Sequence, residues 1–332
     1  MRLNRVILTL VCGAALSVPA LTAAGGPAAV SEAPAGERKL DSATVERLLR
    51  LQDEQEVAVR LVLLPASVED KRGRIVTGLT AGDFRLTDEK VPQQIKYFSV
   101  ESDEPVSIAF VLDVSGSMRQ SGKIDAAKEA IRFFVDQLRP QDRFALICFA
   151  DDQVSWVTEF TSDRQRFLER LMVQEGYGQT ALNDAVGAIP KLVDERATGR
   201  KAIVLITDGV DNASKLTIEQ AVVTARKVEL PIFTVGFSTL PWEDRKHATD
   251  LGFNMAVLQL FADETGGALF VVQDPDELKE AVARISTDLR HQYLIGYSPG
   301  LEHWDGSFRS IQLQARSGRY VVRTRKGYYA NP

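Results

Sequence analysis

The sequence predicts an α/β protein in which a doubly wound, mostly parallel sheet is inserted in a smaller β-rich domain built from both chain ends. Two patterns support this prediction. Between residues 105 and 290, continuous apolar runs alternate with amphipathic helical segments, which is typical of parallel strands covered by helices on both faces. On either side of that stretch, short alternating patterns typical of strands recur without helices, so strands from the two ends can share one domain. A separate hairpin at each end is the alternative.

Apolar runs in the central region predict the buried strands, and helical patterns separate them. The runs are residues 108–112, 144–149, 203–206, 232–235 and 269–272. Three sets of apolar residues recur at helical spacing. They are Ile124, Ala127, Ile131, Phe134, Val135 and Leu138, which Pro140 follows; Ile218, Ala221, Val222 and Ala225; and Leu278, Val282, Ile285 and Leu289, with Asp274 as cap and Pro275 in the first turn. Pro190 lies inside another helical pattern and predicts a kink or an early end there.

The flanking regions, residues 54–104 and 291–332, have β character. In the first region, alternation predicts a strand that buries one set of apolar side chains. That set is Val57, Val59, Leu61 and Leu63. Further alternating segments around Phe84 and over residues 95–100 bring the first region to three or four strands. In the second region, residues 293–297, 308–314 and 320–324 predict three strands, with turns at Pro299-Gly300 and Ser317-Gly318.

The N-terminus is typical of an export signal. Arg2 and Arg5 precede an uncharged, apolar run that ends in small residues, so we expect residues 1–24 to be a signal peptide, cleaved after Ala20 or Ala24. An uncleaved membrane anchor is the alternative. Residues 25–53 are rich in Ala, Gly, Glu and Ser and are expected to form a linker. The sequence therefore predicts an exported protein that is periplasmic, on the cell surface or secreted, with no membrane contact beyond the signal segment.

The composition argues against several classes of function. The net charge is −5, it becomes −7 without Arg2 and Arg5, and no basic stripe is present, so nucleic acid is not expected as a partner. Cys148 would be the single cysteine of the processed chain. It lies in an apolar run, so we expect a buried, unreactive thiol and no disulfide. The histidines are scattered and no cysteine cluster joins them, which argues against a zinc site.

The most informative segment follows the first apolar run of the central region. Asp113, Ser115 and Ser117 place one carboxylate and two hydroxyls at alternate positions directly after a predicted buried strand. Oxygen groups clustered at a strand end suit a small, hard cation such as Mg2+. The alternative interpretation is an ordinary polar turn that caps the following helix.

Two distant residues strengthen the metal interpretation. Thr180 follows a flexible glycine and directly precedes a helical pattern, and Asp208 follows another apolar run. Ligands of doubly wound sheets bind beyond the carboxyl ends of the strands, where the strand order reverses. We therefore expect Thr180 and Asp208 to meet Asp113 and the two serines at one edge of the sheet.

These residues resemble the metal-ion-dependent adhesion site of von Willebrand factor type A domains, which reads Asp-x-Ser-x-Ser, then a distant Thr and a distant Asp. The resemblance covers about residues 105–290 and implies a Rossmann-like fold. The flanks are also similar to a family of secreted bacterial proteins common in Acidobacteria. That similarity lies in Leu79-Thr80, Asp83-Phe84, Asp88-Glu89 and the closing residues 325–329.

The resemblance implies a non-enzymatic metal site. Mg2+ or Mn2+ would be bound directly by Ser115, Ser117 and either Thr180 or a water, while Asp113 and Asp208 act partly through water. Because few carboxylates would touch the ion directly, its charge would be incompletely neutralised. An Asp or Glu of a protein partner could then complete the coordination, so we expect an adhesion or recognition module.

Four other functions are alternatives to a recognition module. The ion could be purely structural, since binding to the folded state alone raises stability. The chain could be an assembly subunit of an envelope complex, although such proteins usually carry membrane helices around the domain. Metal-assisted hydrolysis would need a nucleophile or general base beside the ion, and no histidine lies near the motif segments. The nucleophile-elbow pattern at 296–300 is better explained as a turn, because Pro299 lacks the N–H that an oxyanion hole needs.

Four residues beside the motif have weaker assignments. Tyr177 is a candidate contact residue near the ion. Asp184, Asp211 and Asn212 could surround the site, but solvated loop positions are the favoured interpretation.

Overall fold

The computed structural model describes residues 60–101, 104–119, 122–237, 248–273, 275–300 and 304–331, all within the compact unit Ala58–Pro332. The strands are β1 (Val62–Glu69), β2 (Phe84–Asp88), β3 (Val91–Gln93), β4 (Tyr97–Glu101), β5 (Val106–Asp113), β6 (Arg143–Ala150), β7 (Gln153–Thr161), β8 (Arg200–Thr207), β9 (Ile232–Phe237), β10 (Leu269–Val272), β11 (Gln292–Tyr297), β12 (Phe308–Ala315), β13 (Val321–Arg323) and β14 (Gly327–Tyr329). The helices are α1 (Gly116–Arg119), α2 (Lys123–Gln137), α3 (Arg164–Met172), α4 (Leu182–Arg196), α5 (Ile218–Arg226), α6 (Ala248–Thr265) and α7 (Pro275–Arg290), with a short 3-10 helix at Ala81–Asp83.

The central sheet has the strand order β10-β9-β8-β5-β6-β7. All neighbours are parallel except β7, which pairs antiparallel with β6 at one edge. All eight residues of β5 are buried, as expected for a central strand covered on both faces. The chain first extends the sheet on one side of β5 and then on the other, so the strand order reverses at β5. The prediction of a doubly wound, mostly parallel sheet is confirmed.

Helices cover both faces of this sheet. On one face, residues of α2, α3 and α7 pack against Phe110, Leu112 and Val204. On the other face, residues of α4, α5 and α6 pack against Val111, Ile203 and Leu205. The helical faces predicted for α2, α5 and α7 are the faces that the structure buries.

Two four-stranded sheets lie outside the α/β domain, and both combine strands from the two ends of the described chain. Their orders are β13-β1-β11-β4 and β14-β12-β2-β3. Their shared core contains Leu64, Phe84, Tyr293, Tyr297 and Leu313. In the register of β4 and β11, Glu101 faces Gln292, so the segment that contains the α/β domain leaves and re-enters this β-sandwich at adjacent strands.

Ion pairs tie the last helix of the α/β domain to its surroundings. Arg290 in α7 contacts the buried Asp142 with a nitrogen–oxygen distance of 2.8 Å. Arg323 in the sandwich donates to Asp288 of α7 at 2.7 Å and to Glu69 of β1 at 2.8 Å. These pairs lie at the end of α7 that leads into β11.

Several local predictions were wrong. Leu61 and Leu63 are 44% and 37% exposed, whereas Val62 and Leu64 are buried, so the first strand has the opposite phase. The four residues Leu61 to Leu64 are all apolar, and the phase is set by Ala66 and Val68, which share the buried face. Of the kink or early end predicted at Pro190, the early end is wrong, because helix α4 continues to Arg196.

Other elements were not predicted or cannot be compared. Strand β7 and helices α3 and α6 were missed, and a fourth C-terminal strand, β14, follows the three that were expected. Cys148 is buried as predicted, and burial raises the pKa of its thiol to about 12. The predicted signal peptide, the linker, Val57, Val59 and Asp274 lie outside the described residues.

Candidate metal centre

The centre of the candidate site is Asp113, the last residue of β5. Its side chain is completely buried, and its two oxygens have different partners. Oδ1 accepts a hydrogen bond from the backbone N–H of Ser115 at 2.9 Å, and Oδ2 accepts one from the hydroxyl of Thr207 at 2.6 Å. Burial raises the pKa of the Asp113 carboxyl to about 6, and the charge of Asp208 contributes in the same direction. This carboxylate is therefore fixed in orientation and lies in an environment that disfavours an uncompensated negative charge.

The two serines turn their hydroxyls to one place beside this carboxylate. Ser115 Oγ and Ser117 Oγ lie 3.0 Å apart, and Ser115 is buried. Met118 of α1 is buried in the core, and its N–H donates to Ser115 O at 3.2 Å, which holds the segment that carries both serines. Two hydroxyl oxygens at this spacing can act as ligands on one face of a cation.

The loop that carries Thr180 is attached to the Asp113 loop by backbone hydrogen bonds. Tyr177 N–H donates to Val114 O at 2.7 Å, and Gly116 N–H donates to Gly178 O at 3.0 Å. Gly178 has a φ of 69°, and a Cβ atom there would collide with the carboxylate of Asp151. Glycine is needed at this position for both reasons.

Asp151 holds the next residue of the same loop. Its Oδ1 accepts from the N–H of Gln179 at 2.7 Å, and its own N–H donates to Gln179 O at 2.7 Å. Thr180 follows directly and is buried. Asp151 therefore positions the segment that presents Thr180.

The third loop follows β8 and carries Asp208. Asp208 is buried, and its Oδ2 accepts from Lys123 Nζ at 2.9 Å. Both backbone polar groups of Thr180 bond to Asn212 of this loop. Thr180 N–H donates to Asn212 Oδ1 at 2.9 Å, and Asn212 N–H donates to Thr180 O at 3.0 Å. Thr207, next to Asp208, is the residue that donates to Asp113.

The structure thus connects all three predicted segments at the carboxyl edge of the sheet. Asp113, Ser115 and Ser117 lie in one loop, Thr180 lies in a loop bonded to it, and Asp208 follows the residue that bonds Asp113. Hydroxyls and carboxylates are the oxygen donors that Mg2+ and Mn2+ prefer, so these residues fit such an ion. In the described ranges, no group of three or more His, Cys, Asp or Glu side chains could hold a metal ion.

Sequence reasoning missed several residues of this site. Thr207 contacts Asp113, Lys123 contacts Asp208, and Asp151 holds Gln179 beside Thr180. Each of the three residues had a weak sequence signal. Thr207 and Asp151 follow predicted strands, and Lys123 begins a helix, where a positive charge is unfavourable. Asp211 and Asn212 are exposed loop residues, as expected, and Asp184 is partly exposed. Their side chains also accept hydrogen bonds from backbone N–H groups, those of Asn183, Thr180 and Leu216 respectively.

Comparison with known proteins identifies the family of the α/β domain. The model of the von Willebrand factor type A domain family matches residues 107–284. The chain belongs to this family. The match runs from β5, which ends in Asp113, to α7, and includes the loops of Thr180 and Asp208.

Relatives of this von Willebrand A protein come from distant organisms. It is 29% identical over 205 residues to inter-alpha-trypsin inhibitor heavy chain H4 of Bos taurus, covering 55% of this chain and 20% of that one. It is 28% identical over 211 residues to a UPF0353 protein of Mycolicibacterium gilvum, covering 57% of this chain and 62% of that one. These matches span less than two thirds of either relative.

A solved structure of a von Willebrand factor type A protein from Catenulispora acidiphila is also similar to this chain. It has a TM-score of 0.47 and 16% identity, with 82% of this chain and 75% of that chain covered. In the described part of the present chain, no helix has the length and apolar character needed to cross a membrane.

Proposed function

We propose that this von Willebrand A protein is a non-enzymatic recognition module that binds one divalent cation, Mg2+ or Mn2+. The ligands and orienting residues are Asp113, Ser115, Ser117, Thr180 and Asp208. Through the ion, the domain binds an acidic group of a protein partner. In this proposal, the α/β domain of residues 105–290 carries the recognition site, and the flanking β regions, 54–104 and 291–332, form its scaffold.

One observation carries this proposal. Three loops that are far apart in the sequence are joined by hydrogen bonds at one edge of the sheet, around the buried carboxylate of Asp113. Burying an unpaired carboxylate is unfavourable, and the raised pKa of Asp113 reflects this cost. A divalent cation beside the Ser115 and Ser117 hydroxyls would compensate that charge.

The donor set also explains why a partner's carboxylate is the expected ligand. Hydroxyl oxygens are neutral, so they leave most of the cation's charge uncompensated. Asp113 already accepts two hydrogen bonds, one on each oxygen, which favours an orienting role for it over a direct one. An Asp or Glu side chain from another protein would supply the missing negative oxygen.

The surface around the site has features suited to a protein partner. Tyr177 is 53% exposed beside the Asp113 loop, to which its N–H is bonded. Phe253 is 60% exposed next to Asn254, whose Cβ would lie 3.1 Å from a Cβ at Gly209. Exposed aromatic side chains beside a charged site are typical of interface hot spots. We infer that they contact apolar residues adjacent to the partner's carboxylate.

Export is part of the same proposal. It rests on the basic and apolar pattern of residues 1–24, and places the domain in the periplasm, on the cell surface or outside the cell. Mass spectrometry tests this point by comparing the molecular mass of the protein exported by its native host with the mass of the full chain. A mature N-terminus at residue 21 or 25 is the expected result.

Calorimetry tests the metal, and capture tests the partner. The full chain should take up one Mg2+ or Mn2+ per molecule, and the Asp113→Ala variant should bind the ion at least about 100-fold more weakly. Immobilised protein should then retain an envelope protein in Mg2+ and release it in EDTA, and Asp113→Ala should retain nothing. Uptake of the ion without any EDTA-sensitive partner would leave a structural metal and contradict the recognition role. Cation-dependent turnover of model phosphate or acyl esters would contradict the non-enzymatic role.

A further inference from the structure

Lys123 is a basic residue in direct contact with one of the proposed site residues. It is the first residue of α2, and its Nζ donates to Asp208 Oδ2 at 2.9 Å. The side chains of Lys123 and Asp208 are only 11% and 4% exposed, so the pair is largely removed from water. A buried pair of this kind responds strongly to the loss of either partner.

The position of Lys123 is not explained by helix formation. The helix N-terminus carries partial positive charge, and a cation there is unfavourable. The preceding residue, Gly122, has a φ of 69° and provides no side chain to cap the helix. Within α2, Asp125 and Lys128 form a pair of their own at 3.4 Å. The contact that accounts for Lys123 is therefore Asp208.

The charges at the edge of the sheet show what this contact does. Asp113 and Asp208 contribute two negative charges, and Lys123 neutralises one of them. A divalent cation needs the same Asp208 carboxylate, directly or through water, and it would be repelled by the ammonium group. Lys123 and the cation therefore compete for one carboxylate.

We propose that Lys123 is an internal counter-ion that weakens divalent-cation binding and stabilises the protein when no cation is bound. This inference rests on the proposed metal site. Because Lys123 must release Asp208 before the cation binds, the site is occupied only above a threshold concentration of the cation. Lys123, the competing group, lies 85 residues before Asp208 in the sequence.

Replacing Lys123 should have opposite effects on two measurements. In Lys123→Met the apolar stem is kept and the ammonium is lost. Because the repulsion disappears, calorimetry should give a Kd for Mg2+ and Mn2+ that is about tenfold lower than in the unaltered chain. In EDTA, the same variant should melt at a lower temperature, because Asp208 remains buried without its ion pair.

Three matched variants separate charge from packing. Lys123→Gln keeps a hydrogen-bond donor for Asp208, so it should fold well and also bind the cation more tightly. Lys123→Arg keeps the charge and should bind the cation as weakly as the unaltered chain. Lys279→Met removes an exposed lysine of α7 that pairs with Asp276, and it should change neither quantity.

Each outcome decides the inference. Tighter cation binding in both Lys123→Met and Lys123→Gln, but not in Lys123→Arg, supports it. If the unaltered chain binds Mg2+ and both uncharged variants bind it equally or more weakly, the inference is wrong while the metal site stands. If neither the unaltered chain nor any Lys123 variant takes up Mg2+ or Mn2+, both the inference and the proposed function are wrong.

Discussion

Two buried aspartates, Asp113 in the α/β domain and Asp88 in the β-sandwich, differ in what surrounds their carboxylates. Asp88 Oδ2 accepts hydrogen bonds from the hydroxyls of Tyr297 at 2.8 Å and Tyr328 at 3.0 Å. Burial raises the pKa of both tyrosines, that of Tyr328 to about 12, so both remain donors at neutral pH. Asp113 instead faces small hydroxyl side chains at the end of a strand. A buried carboxylate is thus a candidate metal ligand only where further oxygens and an open edge accompany it.

The largest expected difference between the two aspartates is in cation affinity. Asp113→Ala should lower affinity for Mg2+ and Mn2+ by about 100-fold or more, because the group that orients the serines is lost. Asp88→Ala should leave that affinity unchanged. Isothermal titration calorimetry of both variants measures the difference, and equal losses would contradict the distinction between the two aspartates.

The next effect concerns stability. Asp88→Ala should lower the free energy of unfolding by about 3 kcal/mol, because two buried tyrosine hydroxyls lose their acceptor. Asp113→Ala should cost less in EDTA, because the raised pKa of Asp113 shows that the folded protein disfavours its charged form. Denaturant unfolding in EDTA gives both values. A larger loss for Asp113→Ala would show that its carboxylate is primarily structural.

A pair of glycines extends the comparison to loops. Gly178, near the proposed metal site, and Gly318, in the turn between β12 and β13, have φ values of 69° and 62°. A Cβ atom at Gly318 meets nothing within 4 Å, so Gly318→Ala should cost only the backbone strain, about 1 kcal/mol. Gly178→Ala should cost more and also weaken cation binding, because Asp151 and the Thr180 loop must move. Equal unfolding costs and unchanged cation affinity would argue against this role of Asp151.

The smallest expected effects come from single hydroxyls. Thr207→Val removes the hydrogen bond to Asp113 Oδ2 and should weaken cation binding by about 1 kcal/mol, or roughly fivefold. Tyr328→Phe removes a similar bond to Asp88 and should lower stability by about 1 kcal/mol without changing cation affinity. Calorimetry and denaturant unfolding of both variants test this. An effect of Tyr328→Phe on cation binding would mean that the two regions are coupled.

The fold of the α/β domain was predictable because its strands are continuous apolar runs. The five runs from residue 108 to residue 272 correspond to β5, β6, β8, β9 and β10. Strand β7 was missed because it lies at the sheet edge, and most of its residues are partly exposed or exposed. The phase of β1 was wrong because four consecutive apolar residues fit either face. Burial on two faces leaves a clear pattern in the sequence, and burial on one face does not always do so.

The candidate site was predictable where its residues follow strands or form a recognisable spacing. Asp113, Ser115, Ser117 and Asp208 met both conditions, and Thr180 met the second. The contact of Lys123 with Asp208 joins the first turn of α2 to the end of β8 and leaves no local pattern. Asp151 acts through a turn whose φ of 51° is rare for a residue other than glycine. Such contacts depend on the tertiary arrangement of loops, which leaves no local pattern in the sequence.

The register of β4 with β11 has a consequence for engineering. Glu101 and Gln292 face each other across one strand pair, and paired residues of antiparallel strands lie about 5 Å apart at their Cα atoms. A short hairpin turn could therefore bridge the sandwich in place of the whole segment between them. The excised segment would have neighbouring termini and could be transplanted as a cassette into another hairpin.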